Sequence, residues 1–581
     1  MVLMYSSVVL VLFKKIDMYI KNFFQTKILI AFCSSIFLQC SNKVIPVLGN
    51  RQVIKPNSVK YYDNAKLQKW VNNDTITNGW DLSFPPGVKP SENGFLACII
   101  GPSDDTFPGN KAGKINISWK ELEPQEGKHQ FNIIREKVRQ LADAGYKAAE
   151  MHIRAAVWET RYWKWEGNKM IEDRTKEGSA PRWLKGKVPL IEEDKVTNLE
   201  TPFQVVNMDT YYPAYHQSYL KFINALGESG VLELPELRFI YLHEKSGTRG
   251  EEGGGPAKGD KNYPVYEERL EAWAEATKDK AKHVMYTGWK GDNLDLAYEK
   301  GFGQRNGFVE MYLLHTDNPQ LGQSIDKNGY LICDDDFPPI KEGRSWGDEN
   351  EEYKPSWIKR FGSLETFHHR YRESSLRALQ MRRNILWEQG GGKTLDPHIT
   401  AFVGMELGHT IETTPDIWCY LRESYVHKGE KENNPVTPVK NFERWLFQRD
   451  KEEIQTVPTR KVEHGTKGVL PERLFRTYVR EKQFDYTARK GKRIGFSIDE
   501  RFLTAQSYVL KITYYDNADF KVHFNTQSGI KKRTVSTTNT DKIKTATFYV
   551  DELSKNENGS FDVEITSKDE AEVSFVRIIR I

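Results

Sequence analysis

Between Gly94 and about residue 403 short apolar runs alternate with stretches whose apolar residues recur every three to four positions. No other feature of the sequence constrains the fold as much. A short apolar run bounded by polar residues suits a strand buried on both faces, and a three-to-four periodicity suits a helix lying on a sheet. The expected strands are Gly94–Ile100, Ile115–Trp119, Lys147–Arg154, Leu237–His243, His283–Thr287, Phe308–His315, Arg344–Gly347 and Ile399–Val403. Helical patterns between them include Ile133–Ala144, Tyr215–Leu226, Leu294–Lys300 and Leu364–Trp387. This βα rhythm predicts an α/β protein with a closed parallel (β/α)8 TIM barrel.

A chain of 581 residues exceeds what one core organises, so a second domain is expected. From about Phe484 the pattern becomes short alternating runs separated by turns such as Asn556-Glu557-Asn558-Gly559, which predicts a C-terminal antiparallel β-sandwich. The expected layout is a signal at residues 1–40, a lead-in at 41–93, the barrel at 94–425, a connecting region at 426–482 and the sandwich at 483–581. The connecting region is polar, with Pro435 and Pro438, and is read as built around one amphipathic helix containing Trp445.

Residues 18–40 run from Lys21 and Lys27 through the apolar stretch Ile28–Leu38 to Cys40. That stretch is short for a span, which needs about 20 residues, and suits an export signal. The sequence Phe37-Leu38-Gln39-Cys40-Ser41 resembles the lipobox of bacterial lipoproteins. The resemblance implies lipidation at Cys40 and an exported protein at the outer membrane or cell surface, or in the periplasm, touching membrane only through its anchor. Cys98, Cys333 and Cys419 are expected to be buried free thiols.

Lys and Arg number 84 against 80 Asp and Glu, a balance too even for nucleic acid to be the expected partner. No dinucleotide fingerprint follows the first strand, and no Cys/His spacing suits zinc, so no cofactor and no metal are expected. Fourteen Trp and 27 Tyr supply flat faces that stack on sugar rings.

The segment Ser118-Trp119-Lys120-Glu121-Leu122-Glu123-Pro124-Gln125-Glu126-Gly127 and the later Ala180-Pro181-Arg182-Trp183-Leu184 resemble steps of clan A glycoside hydrolases, in particular the family 42 β-galactosidases and related barrel families of Bacteroidetes. The ordered set covers roughly Gly94 to His409. It implies a glycoside hydrolase working on the C-terminal face of the barrel, with its acid/base at the end of the fourth strand and its nucleophile at the end of the seventh. Carried over, the acid/base is Glu244, following His243 where Asn is usual, or else Glu251 in the Gly-rich loop. The nucleophile is Glu349, which follows Trp346-Gly347-Asp348, or else Glu351. Two carboxyl groups about 5.5 Å apart would make the enzyme retaining.

Candidate substrate contacts are Trp119, His152, Arg154, Trp158, Trp163, Trp183, His243, Trp346 and His409. The long connection Ala155–Thr197 interleaves Trp158, Trp163, Trp165 and Trp183 with Arg161, Arg174 and Arg182, a composition suited to a carboxylated or sulfated sugar polymer. The expected substrate is thus a polysaccharide or oligosaccharide, with a β-galactoside in a sulfated marine polymer the first choice. The alternative is a surface lipoprotein that binds glycans on a barrel without catalysis, since a fold alone does not fix function. The sequence leaves the oligomeric state open.

Overall fold

The structure is a computed structural model. It describes residues 74–97, 109–167, 169–197, 201–242, 255–287, 291–305, 321–350, 363–388, 396–426, 437–463 and 484–581 apart from 557 and 559, with Trp70 and Tyr353 besides. Eight strands close into a barrel. They are β1 (Phe95–Ala97), β2 (Lys111–Ser118), β3 (Ala148–Arg154), β4 (Leu237–Tyr241), β5 (Val284–Tyr286), β6 (Gly303–Arg305), β7 (Trp346–Asn350) and β8 (Ile385–Glu388), each parallel to its neighbours, with β8 returning to β1.

Side chains alternate across the barrel wall. Phe95, Ala97, Ala112, Ala148, Phe239, Met285 and Ile385 fill the lower lumen. The opposite parity, including Ile115, Ile117, Met151 and Ile153, packs outward on the helices. Helices α1 (Asn132–Asp143), α2 (Pro213–Glu228), α3 (Tyr263–Thr277), α4 (Asp292–Glu299), α5 (Leu364–Gln380) and α6 (Pro397–Glu406) lie between the strands or follow β8. Pro213 opens α2, where a missing N–H costs nothing.

The barrel differs from the sequence expectation at three strands. The sixth is Gly303–Arg305, while Phe308–His315 lies outside the described residues. The seventh starts at Trp346 and runs on to Asn350. The eighth is Ile385–Glu388, and Ile399–Val403 belongs to helix α6. The expected helix Leu364–Trp387 stops at Gln380. Arg382 adopts φ 60°, and the Arg383 N–H reaches back to the Ala378 carbonyl, a left-handed helix stop usually made by Gly. Helix α6 begins where Asp396 accepts from the Ile399 N–H and Pro397 takes the first turn. Buried almost all round, it is as apolar as a core strand.

The C-terminal part is antiparallel, as expected, and its eleven strands form one hydrogen-bonded sheet that reaches back beyond 483 to Asp416. It comprises β9 (Asp416–Val426), β10 (Thr437–Arg444), β11 (Leu446–Gln448), β12 (Val457–Glu463), β13 (Phe484–Ile498), β14 (Ser507–Tyr515), β15 (Phe520–Thr526), β16 (Gly529–Val535), β17 (Ile543–Asp551) and β18 (Val563–Arg580), and it takes Thr75–Asn78 onto β17. The described part of the segment read as a connection is thus mostly strand, and Trp445 sits between β10 and β11 with φ 56°, not in a helix.

Candidate active site

In a parallel barrel the strand ends converge at the C-terminal mouth, where the alternate residues of each strand face the lumen. Lys114, Asn116 and Ser118 of β2 pair in register with Glu150, His152 and Arg154 of β3. This row lines the upper lumen together with Tyr241, Thr287, Arg305 and Trp387. The His152 ring lies 4.6 Å from that of Tyr241 and 5.2 Å from Trp387. Arg305 donates to the Tyr241 hydroxyl at 2.6 Å and lies 3.5 Å from the Trp387 ring centre. Thr287 Oγ1 donates to the same hydroxyl at 2.8 Å. Lys114 Nζ stands over Trp387 at 4.1 Å.

At the bottom of this cluster the fully buried Glu150 carboxyl lies 2.8 Å from His152 Nε2. Burial pushes its pKa up to about 8, against the opposing pull of Lys114, Arg305 and the Trp387 indole. At neutral pH the carboxyl is therefore mostly protonated. The lumen opens upward: Lys114 is half-buried, and Asn116 and Arg154 are exposed.

Of the residues expected at the site, His152 and Arg154 stand in this row. Glu349 belongs to β7, where its backbone pairs with that of Trp387. His243, Glu244, Glu251, Glu351 and Cys40 lie outside the described residues.

Three expected substrate contacts are structural instead. Trp119 is fully buried, donates to Glu123 Oε2 at 2.7 Å and packs on Tyr215, Tyr219 and Phe222, so it offers no face to a sugar. Trp346 points outward, donating to the Met381 carbonyl at 2.8 Å with the Arg383 guanidinium 3.5 Å from its ring. His409 lies at the opposite end of the barrel: the preceding Gly408 abuts Asn93, just before β1. Burial, then Arg444, lower the His409 pKa to about 4.

The long connection after β3 is a four-stranded antiparallel sheet formed by Val157–Glu166, Lys169–Glu177, Leu190–Glu192 and Phe203–Met208. Its aromatic and charged residues largely satisfy one another. Trp163 is buried, with Lys195 Nζ 3.8 Å from its ring, which corrects its expected role as a sugar platform. Trp158 carries Arg182 at 4.0 Å, and Trp183 donates to the Glu123 carbonyl at 3.0 Å. Arg161 pairs with Glu159 and Glu192, Arg174 with Asp173, and Lys187 with Glu126.

Among the described residues His369, Glu373 and Asp485 bring potential metal ligands within 4.8 Å of one another. Arg422, however, already lies 2.7 Å from Glu373 Oε2 and 3.1 Å from Asp485 Oδ1, and His369 Nε2 is 2.9 Å from Asp485 Oδ2. The guanidinium supplies the positive charge that a metal would bring.

No family model matches the sequence, and no curated protein does. Among solved structures the chain is similar to the exo-β-1,4-mannosidase Op5Man5 from Opitutaceae bacterium strain TAV5, at 10% identity and TM-score 0.24, over 51% of this chain and 49% of that one. The chain thus spans about half the length of that mannosidase. It is also similar to endo-glycoceramidase II from Rhodococcus sp., at 9% identity and TM-score 0.30 over 80% and 99% of the two chains. A third likeness is to Cryptosporidium parvum pyruvate kinase, at 10% identity and TM-score 0.24 over 56% and 72%. Likenesses this loose, reaching glycosidases and a kinase alike, add nothing to what the closed parallel barrel itself shows.

Proposed function

We propose that the protein is a retaining glycoside hydrolase working at the C-terminal mouth of its barrel, with Glu349 as nucleophile and Glu244 as general acid and base. Glu251 is the alternative acid and Glu351 the alternative nucleophile. The observation that carries the reading is the course of β7: the strand runs through Glu349 at the register of Trp387, beside an open lumen lined with polar groups. Strand β4 ends at Tyr241, three residues before Glu244.

Retention divides labour between two carboxyl groups. One attacks the anomeric carbon as an anion, and the other protonates the leaving oxygen and then activates water. The substrate in this reading is a β-galactoside of an anionic, sulfated polymer, supported by the likeness of the Trp119 and Ala180 segments to family 42. Export with lipidation at Cys40 belongs to the same reading, and Cys40→Ala is expected to release the protein from membranes into the soluble fraction.

The test is release of new reducing ends from a panel of neutral and sulfated polysaccharides, with NMR of the first-formed anomer. Glu349→Gln is expected to abolish turnover, and Glu244→Gln to lower it by about 10²–10⁴-fold. Activity in Glu349→Gln with none in Glu351→Gln moves the nucleophile to Glu351. Activity surviving substitution of each of the four glutamates refutes the reading.

A further inference from the structure

Most of the arginines of the sheet that follows β3 are paired with acids, while Lys169 and Lys176 are exposed. Besides Arg161, Arg174 and Lys187, Arg182 pairs with Glu177, Lys120 also reaches Glu177 at 3.0 Å, and Lys164 reaches Glu166 at 2.9 Å.

The lumen row is different. Among the described residues no carboxylate lies within ion-pair distance of Lys114 or of Arg154, although both stand on the lumen side of adjacent strands. Glu150, the register partner of Lys114, is close enough to feel its charge but is mostly protonated at neutral pH and does not cancel it.

Trp387 strengthens the point. A neutral pyranose in a barrel commonly stacks on an indole face, yet this indole has Lys114 Nζ at 4.1 Å and the Arg305 guanidinium at 3.5 Å from its ring centre. Trp387 and Arg305 are buried, and the half-buried Lys114 is the cation of this cluster nearest solvent. Asn116, two residues nearer the mouth, is exposed, and Lys114 below it is half-buried.

We infer that the sugar unit entering the lumen carries an anionic substituent, a carboxylate or a sulfate, held by the Lys114 ammonium, and that Arg154 takes a second anionic group at the mouth. Lys114 and Arg154 stand four residues apart in strand height, roughly 13 Å between backbone positions at the rise of a strand. The anionic charge of the polymer is recognised in the lumen and at its rim. This inference rests on the glycosidase reading for its site but makes a separate claim about recognition.

The test compares wild type with Lys114→Gln, Lys114→Arg and Arg154→Gln. The probes are a sulfated galactan, the same galactan desulfated, and polygalacturonate. Reducing-end release gives kcat/KM, affinity electrophoresis reports binding, and circular dichroism checks folding. The expected result is that one charged probe is preferred and that Lys114→Gln lowers the charged-to-neutral ratio of kcat/KM about tenfold or more, with Lys114→Arg restoring part of it. Preference for the sulfated probe identifies sulfate, and preference for polygalacturonate identifies carboxylate.

Cleavage of the desulfated galactan as fast as the charged probes, with a ratio unmoved by Lys114→Gln, overturns the inference while leaving hydrolysis standing. Lys114-dependent binding of a charged probe that is never cleaved has the opposite meaning: recognition stands and hydrolysis falls. A protein that binds and cleaves none of the three overturns both.

Discussion

A carboxyl group at the centre of a barrel must be either matched by charge or protonated, and Glu150 lies between these cases. Burial dominates over Lys114 and Arg305 and carries its pKa up to about 8 from the ordinary 4.5. Between those values the folded protein holds a proton that the unfolded chain has lost, so this contribution to stability is complete below about 4.5 and is lost as pH rises through about 8. Glu150→Gln keeps the neutral shape without the titration. Its melting temperature relative to wild type is therefore expected to rise steadily from pH 5 to pH 8.5, and a difference independent of pH would refute this account of Glu150.

The lumen row was legible at the same scale. In Lys114-Ile115-Asn116-Ile117-Ser118-Trp119 the apolar residues occupy one parity, which puts Trp119 with Ile115 and Ile117 against the helices. Glu150, His152 and Arg154 likewise alternate with Met151 and Ile153. Of these lumen positions, only His152 and Arg154 were picked out from sequence. Trp119 and Trp346 draw attention through the glycosidase-like segment and the Trp-Gly before the acidic run, yet their size suits a core as well as a sugar.

At the scale of elements, two boundaries decided whether the eighth barrel strand could be found. Helix α6 carried its signal in the sequence, because Asp396-Pro397 is a capping residue followed by a first-turn proline. Removing the cap in Asp396→Ala is expected to cost about 1 kcal/mol in urea unfolding. The loss includes the contact with His368 Nδ1 at 3.1 Å, and an unchanged midpoint would show that the cap contributes nothing. The stop after α5 carried no such signal, since Arg382 occupies the left-handed position. What holds it there is tertiary: Asp335 at 2.9 Å from its Nε, and the Trp445 ring 4.2 Å from its guanidinium. The connection after β3 was recognised as too long to be idle, but its pairing into a sheet depends on strands brought together from both ends of the segment.

Across the whole molecule the C-terminal sheet is joined to the barrel by buried ions. Arg422 on β9 spans Glu373 of α5 and Asp485 of β13, all three fully or nearly fully buried. Arg422→Met leaves two carboxylates without their cation, and the expected loss is about 3–5 kcal/mol, measured by urea unfolding. A neutral effect would mean that the pair is no better than an apolar contact. By itself the sequence determined the βα alternation, and with it a parallel barrel whose site faces the C-terminal strand ends, because periodicity is a local property of the chain. It also determined the all-β character of the C-terminal part. Only the tertiary structure decided which apolar run is the eighth strand, which tryptophans are core, and which cations have partners. Those outcomes depend on burial and charge matching between residues far apart in sequence. Hydropathy does not separate a helix buried almost all round from a strand buried on both faces, and a residue held in the left-handed region by its neighbours leaves no mark in the sequence.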